Sequence, residues 1–248
     1  MQATTEKFPA EFSDLLTPYG RQVLKRQAKP ASLRRITHGA PFIILRDVVD
    51  ERKAASCIAI LDEHLFAHLT TESRRIPSES ITSMTENYSE VLSKTLHVKT
   101  AFLQRRAARS FQAAQRIALL EMMMSETFVG FAEAVTGLSL DRNPNLQVIC
   151  YGHGDYVGPH NDHHPEVEAI KDGFVDFHVM FTNDAVAHHY LVYEHKGHFS
   201  RIVDVCSQGS VSVYRLPFWH YTTPLMGKLG REREARRWLL LGTFKIMS

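Results

Sequence analysis

Tyr151-Gly-His-Gly-Asp-Tyr-Val-Gly-Pro-His160-Asn-Asp162 comes directly after a run with the composition of a buried strand, Asn145-Leu-Gln-Val-Ile-Cys-Tyr151. Gly152 and Gly154 mark the turn that ends that run. On an extended chain, residues i and i+2 point to the same side. His160 and Asp162 are therefore expected to aim two ligand atoms into one space. His220, 58 residues after Asp162 in Phe-Trp-His220-Tyr-Thr, is the candidate third ligand from a distant strand. Two imidazoles and one carboxylate on one face of a metal leave the opposite coordination positions open, the arrangement that suits oxygen activation at non-heme Fe(II).

A His-x-Asp pair alone is weak, because ten of the fourteen histidines fall between His153 and His220 and pairing within that window is cheap. Context strengthens it. Further strand candidates lie at 177–182, 190–193, 210–214 and 238–244, separated by turns rich in Gly, Asn and Asp. Short strands so spaced point to a sandwich or barrel rather than a parallel βαβ sheet. His160 and His164 have the i, i+4 spacing of helical zinc motifs, but Pro165 comes next and no Glu lies between them. His153, His163 and His164 are read as surface residues.

The stretch from Tyr151 to Asp162 resembles the metal strand of the 2-oxoglutarate/Fe(II)-dependent dioxygenases, especially their prolyl-hydroxylase-like branch. The likeness continues through Gly209-Ser-Val-Ser-Val-Tyr214 and His220-Tyr-Thr-Thr-Pro224, and ends in Gly230-Arg-Glu-Arg-Glu-Ala-Arg236-Arg237-Trp238, covering roughly residues 145–245. The resemblance implies an α+β fold, a double-stranded β-helix (jelly-roll or cupin-like barrel) buttressed by N-terminal helices. It also implies iron held by His160, Asp162 and His220, with 2-oxoglutarate as cosubstrate and O2 as oxidant. The family places a basic residue against the distal carboxylate of 2-oxoglutarate, which a guanidinium grips with two parallel hydrogen bonds. Arg237, next to the last apolar strand, is the first choice. Arg236 faces the other side of the chain, so strand register decides between them. Tyr151 matches a tyrosine that often hydrogen-bonds 2-oxoglutarate, and a core aromatic is an equal reading of it. Gln147 and Ile149 would share its strand face.

The reaction so implied is hydroxylation or a related C–H oxidation, releasing succinate and CO2. Halogenating relatives carry a small residue at the position of Asp162. Residues 70–100 and 163–174 lie outside the metal and cosubstrate strands, and their mix of Ser, Thr, Glu and His with few aromatics favours a small-molecule substrate. The alternatives are a prolyl or peptidyl hydroxylase acting on a protein, and a cupin-like metalloprotein that does not use 2-oxoglutarate. Base-demethylating relatives carry a second Arg six residues after the cosubstrate Arg. Gly242 and Thr243 stand there, which speaks against nucleic acid despite a run of seven basic and no acidic residues between Leu15 and Arg46.

The 248 residues fit one oxygenase domain: a mainly helical part (1–140) with an opening strand at 40–49, then the jelly-roll core (141–248). Asp50 can cap a helix whose Ala54, Cys57, Ile58, Leu61, Leu65 and Leu69 form one apolar face. Residues 70–93 read as loop with short helical turns, and 101–135 as a second helical region ending near Gly137. Met122-Met-Met124 reads as core filling. The N-terminus lacks the apolar stretch of a signal peptide, and no run approaches the ~18 apolar residues of a membrane span. Three widely spaced cysteines suit a reducing, cytoplasmic compartment.

Overall fold

The computed structural model describes residues 6–26, 42–76, 94–162 and 173–247. Among them are five α-helices: α1 (Pro18–Leu24), α2 (Glu51–His64), α3 (Arg109–Arg116), α4 (Leu119–Met123) and α5 (Glu126–Thr136). The strands are β1 (Phe42–Leu45), β2 (Thr70–Arg75), β3 (Thr95–Phe102), β4 (Asn145–Tyr151), β5 (Tyr156–Val157), β6 (Phe174–Thr182) and β7 (Val186–His188). They continue with β8 (Tyr190–His195), β9 (His198–Asp204), β10 (Ser210–Arg215), β11 (His220–Thr222), β12 (Met226–Gly227) and β13 (Arg237–Lys245). The large sheet runs β1-β10-β6-β13-β4-β3-β2, with β5 paired to β3. A three-stranded sheet, β11-β8-β9, packs Leu191 and Tyr193 against Met180 and Leu239 of the large sheet, and β12 pairs with β7. The pairs are antiparallel throughout, as a jelly-roll-like fold requires.

Alternation divides each central strand between two environments. On β6, Phe177, Val179 and Phe181 pack outward, where Phe12, Phe128 and Phe131 of the N-terminal region and α5 meet them. On β13, Trp238, Leu240 and Phe244 do the same. Each such side chain contributes roughly 1.5–3 kcal/mol by leaving water. Trp238 Nε1 donates to Asp62 Oδ1 at 2.9 Å and ties α2 to the sheet. The opposite face turns inward: Arg237, Leu239 and Leu241 of β13, His178 of β6, and Gln147, Ile149 and Tyr151 of β4 line one cavity. A one-residue slip would exchange the two sets, so the oily outer face fixes which residues see the cavity.

Several expectations hold. Asp50 accepts hydrogen bonds from the Arg52 and Lys53 amides at the start of α2. Gly137 closes α5 with a left-handed φ of +72°. Met122 and Met123 are fully buried, although Met124 is 41% exposed. Two expectations fail. The segment from residue 70 opens with β2, not a loop; residues 77–93 lie outside the described part. Helix does not begin at 101, because β3 runs to Phe102, and the helical region beyond it is broken into α3, α4 and α5. Ala118 at φ +60° separates α3 from α4, and Ser125 caps α5 by accepting from the Phe128 amide. Among the described residues no helix is long and apolar enough to cross a membrane.

Candidate metal centre

His160 and His220 meet through a backbone bridge. The His160 amide donates to the His220 carbonyl at 3.0 Å and the His220 amide to the His160 carbonyl at 2.9 Å. This pairing sets the two ring centroids 4.3 Å apart. Asp162 arrives differently from the extended i, i+2 geometry expected of it. Its φ is +53°, a left-handed conformation that Asp tolerates better than most residues but that still costs roughly 1–2 kcal/mol. The turn brings its carboxylate between the rings, Oδ1 at 3.0 Å from His160 Nε2 and Oδ2 at 3.7 Å from His220 Nε2. One ligand atom from each residue lies within 4.8 Å of the others.

Both imidazoles are oriented alike. His160 Nδ1 lies 2.8 Å from the Gly158 carbonyl oxygen, and His220 Nδ1 lies 2.8 Å from that of Phe218. A backbone carbonyl only accepts, so each Nδ1 carries a hydrogen, and in the neutral ring it is Nε2 whose lone pair faces the centre. That is the tautomer a metal-ligating histidine needs. Burial and the neighbouring His160 ring push His220 down to about 4. Burial opposes a charged His160 ring too, but the Asp162 carboxylate carries its pKa above the ordinary histidine value. Burial would raise the Asp162 carboxyl; the two rings instead hold it well below the usual carboxylate range. The centre thus offers an ionised carboxylate and two Nε2 donors, a set that fits Fe(II).

The register of β13 separates the two arginines. Arg237 stands opposite Tyr151 of β4 and Thr182 of β6. It is 4% exposed and lines a cavity of about 140 Å³ together with His160, Asp162 and His220. Its Nε donates to the Val205 carbonyl at 2.9 Å. Its terminal nitrogens meet the His189 ring at 3.4 Å and the Met180 sulfur at 2.9 Å. It makes no ion pair with a described residue. An uncompensated buried cation is costly, so a small dianion spanning from the triad to Arg237 would answer both ends of the cavity. The ring of Tyr151 stands 5.4 Å from the guanidinium carbon, and burial pushes its phenol up to about 12. Arg236 turns the other way. Its guanidinium lies over Phe66 at 4.7 Å and donates to the Arg233 and Ala235 carbonyls, in a separate cleft with Lys99 and Asp155.

Of the remaining sequence candidates, Gln147 and Ile149 line the cavity as expected. His153 is exposed and accepts from the Gly227 amide, and His163 and His164 lie outside the described residues. Sequence reasoning missed Tyr214, His178 and Ser212. Tyr214 donates to Asp162 Oδ2 at 3.2 Å. His178 Nδ1 faces Ser212 Oγ at 3.3 Å, and burial with the charge of Arg237 pushes this ring down to about 3. The available signal was inward-facing polar residues at alternate positions of otherwise apolar strands.

No family model matches the sequence, and no curated protein sequence matches it. Solved structures do match in fold. A 2OG-Fe(II) oxygenase family oxidoreductase from Burkholderia pseudomallei aligns with a TM-score of 0.51 at 12% identity, over 98% of this chain and 97% of that one. The non-heme alpha ketoglutarate dependent carbocyclase SnoK from nogalamycin biosynthesis aligns at 0.53 and 10% identity, over 88% of this chain and 84% of that one. The epimerase SnoN from the same biosynthesis aligns at 0.52 and 14% identity, over 87% and 83%. The chain has the fold of the 2OG-Fe(II) oxygenases.

Proposed function

We propose that the chain is a 2-oxoglutarate- and Fe(II)-dependent dioxygenase that hydroxylates, or otherwise oxidises at a C–H bond, a small organic molecule. The observation that carries this reading is the pairing, in one cavity, of a His-Asp-His centre with a buried arginine that has no carboxylate partner among the described residues. His160, Asp162 and His220 would hold the metal, and Arg237 the distal carboxylate of the cosubstrate. When bound, Fe(II) and 2-oxoglutarate together supply the reduction of O2, with release of succinate and CO2.

The chain's own residues do the rest. The Gly158 and Phe218 carbonyls keep both Nδ1 hydrogens engaged, so His160 and His220 reach the centre without rearrangement. Arg237, anchored through Nε, has N–H groups on its terminal nitrogens beyond those facing His189 and Met180, and these would serve an oxyanion. Ile149, Leu191, Val205 and Leu239 line the space between and exclude water, which strengthens the charge contacts inside. Val157, Tyr151 and Thr222 close the same wall. Solved relatives in fold include a carbocyclase and an epimerase of a biosynthetic pathway, which favours a small molecule over a protein side chain.

A substrate screen that reads conversion of 2-oxoglutarate to succinate tests the proposal. Stimulation by small biosynthetic intermediates or amino-acid derivatives is expected. Stimulation by proline-containing peptides alone would replace the small molecule with a protein substrate. Absence of any 2-oxoglutarate turnover in iron-loaded protein would favour a cupin-like metalloprotein.

A further inference from the structure

Tyr214 lies on β10, between β1 and β6 in the large sheet, and is 3% exposed. Its ring is packed on several sides: stacked on Phe218 with centroids 4.7 Å apart, edge-on to His178 at 5.0 Å, and against His220 at 5.1 Å. Phe218 in turn stacks on Phe42 at 5.7 Å with an interplanar angle of 5°. The phenol therefore has little freedom to turn, and its hydroxyl is delivered to one place, Asp162 Oδ2, at 3.2 Å.

The two carboxylate oxygens of Asp162 are thereby made unequal. Oδ2 receives the Tyr214 hydrogen, while Oδ1 lies 3.0 Å from His160 Nε2. A carboxylate binds a cation through one oxygen or through both. Binding through both would occupy a further coordination position at a centre whose use depends on open positions. A hydrogen bond from a fixed phenol to one oxygen favours the one-oxygen mode, because the second oxygen's charge is already engaged.

We infer that Tyr214 is a positioning residue that holds Asp162 to the metal through a single oxygen and so keeps a coordination position free. This rests on the proposed metal-binding role of His160, Asp162 and His220. The conservative variant Tyr214→Phe removes the hydroxyl and leaves the ring stack with Phe218 and His220. Co(II) titration of the metal-free protein, followed by visible absorption, reads affinity and coordination number together. The variant is expected to bind Co(II) about 10-fold more weakly, the lower end of losses when a ligand's hydrogen-bond partner is removed. Its visible bands are expected to change in intensity as the carboxylate takes a second position, while the metal-free protein stays folded and its Tm drops only by the several degrees that one lost hydrogen bond to a carboxylate costs. Wild-type Co(II) affinity and spectrum in Tyr214→Phe would overturn the positioning role and leave the metal centre standing. A wild-type protein that binds no Co(II), or whose Asp162→Ala variant binds it unchanged, would overturn both.

Discussion

Replacing Arg237 by methionine should make the metal-free protein more stable and blind to 2-oxoglutarate. The guanidinium is buried, with no carboxylate among the described residues to compensate it. The substitution loses a hydrogen bond from a charged donor to the Val205 carbonyl, worth about 1.5–3 kcal/mol. It also loses the contact with the Tyr151 ring at 5.4 Å, worth about 1 kcal/mol. Against this, it removes the desolvation of an unpaired ion, an effective penalty of several kcal/mol. Methionine fills much of the same space beside Met180 and Tyr151. The balance favours the variant by about 1–2 kcal/mol, and each kcal/mol raises Tm by about 2–4 °C in a chain of this size. Cosubstrate binding moves the other way, since truncating one side of a buried charge pair costs about 2–5 kcal/mol, at least ~30-fold in Kd. The assay is thermal unfolding with Mn(II), with and without 2-oxoglutarate, in both proteins. At about 100 times the wild-type Kd the ligand should stabilise the wild type by about 2.7 kcal/mol and the variant by less than about 1 kcal/mol. A variant destabilised by more than about 2 kcal/mol that still gains the full wild-type stabilisation from 2-oxoglutarate would make Arg237 a structural cation and overturn its cosubstrate role.

Arg236→Gln should leave 2-oxoglutarate affinity within about twofold of wild type in the same titration, because that side chain lies over Phe66 in a separate cleft and does not line the cavity of His160, Asp162 and His220. Asp162→Ala should abolish native turnover and lower Fe(II) affinity by orders of magnitude, read by activity and by metal retention after dialysis; undiminished turnover would remove Asp162 from the centre. Asp176, whose carboxyl is pushed up to about 8 by burial and by the charge of Asp162, predicts a pH slope. A folded pKa raised above the unfolded value gives stability that is fully present below about pH 4 and lost as pH rises through about 8. This component of the metal-free wild type's stability should therefore fall from about pH 4 to about pH 8. Asp176→Asn, followed by urea unfolding across that window, should flatten this component; an unchanged slope would contradict it.

What the sequence made legible tracks the apolar pattern. β4 was readable at Asn145–Tyr151 because Leu146, Val148 and Cys150 form a fully buried face and turn glycines come after it. Asp50 and Gly137 announced helix ends through local chemistry alone. β2, Thr-Thr-Glu-Ser-Arg-Arg, escaped because it is a polar edge strand exposed along nearly all its length, where nothing selects for apolar alternation. β9 escaped for the same reason. The candidate trio His160, Asp162 and His220, picked out by spacing and resemblance, does come together, yet the way Asp162 reaches the centre was not legible, since a left-handed non-glycine residue leaves no periodic trace. Arg236 and Arg237 were indistinguishable by type; only the pairing of Arg237 with Tyr151 and Thr182 tells which one faces the cavity. Tyr214 and His178 lay hidden in strands read for their hydrophobic members, because the partners that reveal them are far away in sequence.

The dioxygenase reading meets its most direct test in an anaerobic titration of the metal-free protein with Fe(II) and then 2-oxoglutarate, watched by visible absorption. A metal-to-ligand charge-transfer band should appear only when both are present and saturate at one equivalent of each. It should be absent from Asp162→Ala and Arg237→Met. Folded wild-type protein that takes up Fe(II) but develops no band on addition of 2-oxoglutarate would contradict the assignment of this cavity to iron and 2-oxoglutarate together.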